Sequence, residues 1–399
     1  MASMASSIPA AQLGWVFGGI DTHKDTHTAA LVDSAGMLLG TAVFPTTQAG
    51  YRQLLGWMGS VGTLARVGVE GTGSYGAGIC QQLCAAGVEV VEVNRPDRSQ
   101  RRRRGKSDAL DAAAAAEAAR TGQRIAVPKS RDGRVESLRV LKVTRASAVK
   151  ARTIAFQELD QLLVTAPAQL RDQIRDLSKM KLIRSCAEWR PNPANAADPL
   201  TATRIAVRRL ARRYLALSAE IAEFDELLTP LVAELAPQLV ATVGVGTETA
   251  SQLLITAGDN PDRVHSEAAF AMLCGVAPLP ASSGKTQRHR LNRGGDRQAN
   301  RALHVIAKTR TRCDPRTQAY LQKKAAEKHT TREATRSLKR LIAREVYYLL
   351  PHTPHRPPVP PSRPASRRAD AVKVEPPTRG TTLTAPSTGT PSTMEAPAP

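Results

Sequence analysis

The sequence predicts a mixed α/β sheet, then a long helical segment, then a second part built of helices alone. Three observations carry this. Residues 15–44 read as three successive apolar runs, WVFGGID, HTAALVD and MLLGTAVF, separated by THKDT and SAG. From residue 48 to 120, strand-length apolar runs alternate with helix-patterned stretches, and beyond 135 apolar residues recur at three-and-four spacing.

The first part spans 15–125. After the three runs come a helix over 48–58, the strand ARVGVE at 65–70, a helix near 77–86, the strand GVEVVEV at 87–93, a basic loop, and an Ala-rich helix over 108–120. In that order the ends of the first and fourth strands can be neighbours, with the last helix packed beside them. Two helical stretches fill 130–237. Leu141, Ala148, Ala155 and Leu162 recur every seven residues, and Leu210, Tyr214, Leu217, Ile221, Phe224, Leu228, Leu231 and Leu235 keep a four-three alternation. Both patterns predict a coiled coil or helical hairpin, with a kink or break at Pro230. Between them, 165–200 holds Pro167, Pro191, Pro193 and Pro199 and reads as an irregular connection or small insertion. Residues 238–348 read as helices joined by short loops. Residues 1–14 read as an unstructured leader, and 349–399, rich in Pro, Ser, Thr and Ala, as a disordered tail.

The formal net charge is +21, of which residues 351–399 contribute six Lys/Arg against three Asp/Glu. The excess therefore sits on the body of the chain and implies a polyanionic partner, nucleic acid being the obvious one. Five cysteines form no CxxC pair and no zinc spacing with His, as expected of reduced thiols in a cytosolic protein. No apolar run of membrane-spanning length occurs, and the N-terminus lacks the pattern of a signal peptide.

Four carboxylates stand out: Asp21 in GGIDTHKD, Glu70 in RVGVEGTGSYG, and Asp108 with Asp111 in GKSDALDAA. A carboxylate at a strand end is ordinarily a solvated turn residue, but the set is more specific than its members. Asp21 and Glu70 end apolar strands, while Asp108 and Asp111 share a helix face. Clustered negative charge needs a cation, and Mg²⁺ prefers such oxygen donors and suits phosphoryl transfer. Asp25 and Asp33 rank lower because each lies in or beside a turn. Gly71, Gly73 and Gly76 also spell a dinucleotide fingerprint after a strand, with Glu89 or Glu92 downstream. Against that reading, Glu70 would confront the pyrophosphate, and the motif follows the fourth strand rather than the first. The glycines suit a tight turn beside a metal site.

The loop RPDRSQRRRRGK, with Arg101, Arg102, Arg103, Arg104 and Lys106, precedes the Asp108 pair and suits a phosphate clamp, the bland alternative being a solvated charge run. Gly244 and Gly246 in TVGVGTETASQ resemble the hairpin of helix-hairpin-helix modules, which offers backbone N–H groups to phosphate; a simple helix cap is the alternative. CGVAPLPASSGKTQRHRLNRGGDRQANRAL sets Ser282 and Ser283 among Lys285, Arg288, Arg290 and Arg293. Its GKT imitates a P-loop ending, but Leu279 stands where the first glycine belongs. Basic neighbours can activate a serine or stabilise charge on a phosphate, although Ser-Ser-Gly is ordinarily a turn.

On GIDTHKDTHTAALVD (19–33), VEGTGSYG (69–76), KSDALDA (106–112), VGVGTETASQLLITAGD (243–259) and the CGVAPLP…ANRAL block (274–303), the chain resembles the DEDD transposases of the bacterial insertion-sequence one-ten group, bridge-RNA-guided recombinases. The resemblance covers residues 17–345 and implies an RNase H-like, RuvC-like first domain binding Mg²⁺, or Mn²⁺, through Asp21, Glu70, Asp108 and Asp111. It implies a helical transposase domain whose serine, carried to Ser283 with Ser282 as alternative, joins covalently to a DNA phosphate. It further implies a dimer or higher homo-oligomer, a structured guide RNA, and DNA as element ends and target. A RuvC-type junction-resolving nuclease using metal-activated water is the first alternative, and a non-catalytic nucleic-acid-binding protein the second.

Overall fold

The computed structural model describes residues 14–93, 107–260, 263–284 and 288–351. The leader and the tail expected from the sequence fall outside these residues, apart from their inner edges. β1 (Trp15–Thr22), β2 (Thr26–Asp33) and β3 (Leu38–Pro45) form the meander that their aliphatic and β-branched content predicts. β4 (Thr63–Glu70) runs parallel to β1, and β5 (Val90–Val93) parallel to β4. A two-residue strand, β6 (Ile125–Ala126), closes the edge antiparallel to β5, giving the order β3-β2-β1-β4-β5-β6. An antiparallel meander continued by parallel strands, with helices on its faces, is the RNase H-like arrangement.

One face of the sheet is covered by α1 (Gln48–Val61) and α2 (Ala77–Ala85), whose Leu54, Met58, Ile79 and Leu83 are fully buried with Ile20, Leu31 and Val67. The other carries α3 (Asp108–Thr121), which buries Ala112, Ala115, Ala116 and Ala119. Alanine is required here because the helix backbone lies almost on the strands. A Cβ on Gly19 would stand 2.1 Å from both Ala112 O and Ala116 N, and one on Gly68 2.4 Å from Ala115 O.

α4 (Arg134–Val164) and α7 (Pro199–Leu235) pack antiparallel as a hairpin. Arg145 grips Asp225 at 2.7 and 3.0 Å, and farther out Phe156 meets Tyr214 edge-on. All eight apolar residues of the α7 pattern are at least half-buried, but the α4 pattern drifts: Ala148 and Ala155 are buried, whereas Leu162 is 36% exposed and Leu159 and Leu163 take its place. A straight helix of 3.6 residues per turn loses a strict seven-residue stripe by about 20° per heptad. Of the kink or break expected at Pro230, the break is absent, since α7 continues to Leu235. Pro230 lies on the exposed face, where the carbonyl that loses its amide partner can bond to water.

Of the two readings of residues 165–200, an irregular connection or a small insertion, the structure has the second. These residues form α5 (Ala168–Ile174), α6 (Lys179–Glu188) and a 3₁₀ turn at Pro193–Asn195. Leu170, Ile183 and Cys186 pack with Leu159, Leu163, Val207 and Tyr214 into a core of their own at the arm's far end. The prolines lie at element starts and turns, where a missing N–H costs little.

Beyond the arm come α8 (Pro237–Val240), α9 (Thr247–Ala257), α10 (Glu267–Leu273), α11 (Arg297–Cys313), α12 (Pro315–Ala326) and α13 (Thr331–Leu349). A hairpin of β7 (Leu279–Pro280) and β8 (His289–Arg290) interrupts what reads from sequence as helices alone. Phe270, Leu253, Leu303, Ile306, Ile342 and Val346 form the centre of this core, into which the arm inserts Leu138, Leu228 and Val232. No helix among the described residues is long and apolar enough to cross a membrane.

The sheet and the helical core meet around residues 129–136. Arg131 donates to the Gly73 carbonyl at 3.0 Å, and Lys129 Nζ to the Ile255 carbonyl at 2.5 Å. Burial, reinforced by Arg263, pushes the Lys129 ammonium down to about 8. Asp259 caps α4 from another part of the chain, its carboxylate accepting from Val135 N at 2.8 Å and Glu136 N at 3.1 Å. Asp259→Ala leaves the Val135 amide unpaired, while Glu136 N keeps the Gly133 carbonyl at 3.2 Å, and is expected to cost about 1 kcal/mol, typical of a lost cap, read as a lower urea midpoint at unchanged slope.

Candidate metal centre and serine hairpin

Asp21 and Glu70 stand next along neighbouring strands, one step beyond the parallel pair Ile20–Val69. Thr22 Oγ1 ties the two strand ends by donating to the Glu70 carbonyl at 2.8 Å. Across from them α3 begins at Ser107, whose hydroxyl accepts from Leu110 N. Asp108 and Asp111 occupy its first turn, where the partial positive charge of the helix N-terminus favours carboxylates.

Asp21, His23 and Asp108 each bring one ligand atom to within 4.8 Å of the others. His23 Nε2 lies 3.2 Å from Asp21 Oδ2 and 3.4 Å from Asp108 Oδ1. Asp21 and Asp111 are buried, while Asp108 is exposed. Burial pushes the Asp21 carboxyl above the ordinary carboxylate range; His23 opposes the shift, and the charges of Asp111 and Asp108 add to it. The three aspartates therefore share one electrostatic neighbourhood, with Glu70 on the adjoining strand end. Oxygen donors, one imidazole and crowded negative charge, with no Lys or Arg among the described groups acting on Asp21, fit a hard divalent cation.

His23 is absent from the sequence-based candidates. Its one signal is the Asp-x-His spacing at a strand end, where a turn closed by His23 N on Thr26 O at 3.1 Å brings the ring back over Asp21. Asp33 is a turn residue, accepting from Met37 N at 2.8 Å. Gly71, at φ +69°, accepts from both Ser74 N and Gly76 N, forming the tight turn that its glycines suit. Arg101, Arg102, Arg103, Arg104, Lys106 and Lys285 lie outside the described residues.

Gly244 adopts φ +79° and Gly246 caps α9. The Gly246 N–H donates to Thr249 Oγ1 at 3.1 Å, so this amide is engaged within the chain. Glu248, one residue into the helix, pairs with Lys142 and, at 3.2 Å, with Arg145. These contacts make the turn a joint between α9 and the arm.

Ser282 and Ser283 are exposed at the end of the β7–β8 hairpin, beside Gly284 at φ +54°. Ser282 Oγ accepts from Arg288 N at 3.3 Å, and the Ala281 amide donates to the Arg288 carbonyl at 2.9 Å. Arg288, Arg290 and Arg293 are exposed. The hairpin borders a cavity of about 570 Å³ whose lining includes Arg288, Arg290, Lys324, Arg336 and Arg340. The structure gathers the aspartates where the central strand β1 ends beside the start of α3, and sets the serines at the end of a hairpin whose Arg288 and Arg290 line the cavity.

Known proteins divide along the same line. A DEDD model described as "Transposase" matches residues 18–166, and one described as "Transposase IS116/IS110/IS902 family" matches residues 237–322. The chain belongs to the IS110 family of DEDD transposases. Asp21, Glu70, Asp108 and Asp111 all fall in the first IS110 match, and Ser282 and Ser283 in the second. The chain is also similar to the "Insertion element IS110 uncharacterized 43.6 kDa protein" of Streptomyces coelicolor, 34% identical over 110 residues. That stretch covers 27% of this chain and spans 26% of the relative's own length. Residues 167 to 236, which hold the arm's outer end and the whole of α7, lie between the two IS110 matches.

Proposed function

We propose that this chain is a divalent-metal-dependent DNA recombinase that excises and inserts its own insertion sequence through a serine-linked intermediate, directed by a structured bridge RNA. The observation that carries the reading is the convergence of Asp21, His23 and Asp108 within 4.8 Å at the junction of β1 and α3. The order of the four acidic residues, D, E, D, D, agrees with the letters of the DEDD family name. In this reading residues 15–125 are the metal-binding unit, 130–237 the spacer and 238–348 the serine unit, working as a dimer or larger homo-oligomer.

Asp21, Glu70, Asp108 and Asp111 are the residues to hold Mg²⁺, with Mn²⁺ as its substitute. When bound, the cation supplies Lewis acidity toward a phosphate oxygen and offsets its charge. The chain's own groups do the rest. Ser283, or Ser282, attacks phosphorus through Oγ and loses its proton; the P–O bond to the departing deoxyribose breaks, and that oxygen takes up a proton. The serine phosphodiester conserves the bond energy, so attack by a new strand end rejoins DNA without ATP. Lys285, Arg288, Arg290 and Arg293 hold phosphates, as do Arg101 to Arg104 and Lys106, and sequence choice passes to RNA pairing.

The test is a denaturing gel of protein incubated with DNA bearing the element's ends, its RNA and Mg²⁺. Ser283→Ala is expected to remove the covalent protein–DNA band while binding persists within about twofold, because an exposed hydroxyl contributes little affinity. A band that survives in Ser282→Ala, Ser283→Ala and the double variant ends the serine mechanism. Cleavage without rejoining, indifferent to both serines, would assign the chain to the junction-resolving nucleases instead.

A further inference from the structure

We propose that the far end of the helical arm is a second nucleic-acid surface, which grips the phosphate backbone of duplex DNA away from both the aspartates and the serine hairpin. The choice of DNA rests on the recombinase reading; the anion-binding surface does not. Between residues 165 and 215 the chain holds eleven Lys/Arg and four Asp/Glu. On α7, Arg204, Arg208 and Arg212 form one row at i, i+4 spacing and Arg209 with Arg213 a second. Like charges so placed destabilise a helix, so they call for an offset.

Asp198 faces Arg204, and among the described residues the rest of the array lacks such an offset. Among the described residues the ion pair of this segment is Arg175–Asp172, and Arg190, Arg208, Arg209, Arg212 and Arg213 make no ion pair. Arg208 Nε is buried without a hydrogen-bond partner. Burial first, then the charges of Arg212, Arg209 and Arg190, push this guanidinium below its ordinary range. The cluster is nonetheless anchored: Arg212 Nε donates to the Ala187 carbonyl at 3.2 Å, joining α6 to α7 above the buried Ile183, Cys186 and Val207. A fixed array of unpaired guanidiniums is the complement of a row of phosphates.

Duplex is favoured over single strand because the local rings are already covered. Lys179 Nζ sits 3.6 Å from the Phe156 ring centroid, Arg152 lies over Tyr214 and Arg204 over Trp189. Unstacked bases need free aromatic faces, whereas backbone contact needs only charge. Reach fits as well. From Leu138 in the helical core to Leu159 in the tip core, α4 rises roughly 30 Å, close to one turn of B-form DNA at about 34 Å.

The experiment uses the full chain and a fluorescent duplex of about 40 bp, without divalent cation, and follows affinity against salt. Changing Arg208, Arg209 and Arg212 together to Gln is expected to weaken binding about tenfold or more at 0.1 M salt and to lower the log–log salt slope by two to three, since each released phosphate contact is worth about 0.9. The triple Lys variant should restore the slope, and the Gln variant should melt close to the parent, because relieved repulsion offsets the lost bond from Arg212 to the Ala187 carbonyl. An unchanged slope overturns the proposal. A change seen with duplex RNA and not with DNA overturns the choice of DNA, and loss of binding to polyglutamate alone would indicate an acidic protein partner instead. Failure of the recombinase reading shows separately, as cleavage that persists in Asp21→Asn, a residue the salt slope does not depend on.

Discussion

Asp21→Asn is expected to abolish strand cleavage while making the metal-free protein more stable. The substitution keeps size and hydrogen-bonding shape but removes one buried charge from a site already crowded by Asp108 and Asp111. A carboxyl held above its ordinary range stabilises the fold only while protonated. That contribution is full below the unfolded value and is lost as pH rises through the folded one, so at neutral pH the ionised group costs stability. Asn removes the cost, and the metal-free melting temperature should rise by an amount equivalent to about 1 kcal/mol, as at other strained functional sites. The gap between variant and parent should narrow as pH falls toward the acid range. Cleavage should fall by about a thousand-fold or more, because metal chemistry supplies several kcal/mol and each 1.4 kcal/mol is a factor of ten. Mg²⁺ should raise the parent's melting temperature and leave the variant's nearly unchanged. A variant that melts lower than the parent and still responds to Mg²⁺ would show that Asp21 is a structural residue.

The strands of the sheet are legible because each is a run of aliphatic and β-branched residues whose length and bounding turns need no tertiary information. The Ala-rich helix is legible as a helix, but the reason for its alanines is not. That lies in Gly19 and Gly68, distant in sequence, which let its backbone settle on the sheet. Elements of two residues, β6 and the β7–β8 hairpin, carry no periodicity and are fixed by pairing partners elsewhere. The same holds for the tip: α5 and α6 are short and bracketed by Pro167 and Pro191, and they become ordered because Leu159 and Tyr214, on the long helices, complete their core. At the site, the carboxylates announce themselves by standing at the ends of apolar runs. His23 does not, because its approach to Asp21 and Asp108 depends on a turn and on where α3 begins.

That dependence on α3 makes Gly19 the residue that most tightly couples folding to chemistry. Gly19→Ala places a methyl group where Ala112 O and Ala116 N already stand, 2.1 Å away, and both are backbone atoms of a helix that cannot yield locally. The helix must lift from β1 and β2 or tilt about its C-terminal end, where Gly122 closes it at φ +67°. Either movement carries Asp108 and Asp111 away from Asp21, since all three are held by the same contact between strand and helix. The expected cost is about 3 kcal/mol, the upper range for overpacking a close-packed interior, read from the urea midpoint. Cleavage should fall about a hundred-fold even under conditions where the variant is fully folded, because a displacement near 1 Å suffices for such a loss. Gly59→Ala is the control: it lies in α1 with nothing within 4 Å of the added carbon, so it should stabilise by about 0.5–1 kcal/mol and leave cleavage unchanged. Equal effects of the two substitutions would mean that the seating of α3 on the sheet does not set the spacing of the aspartates.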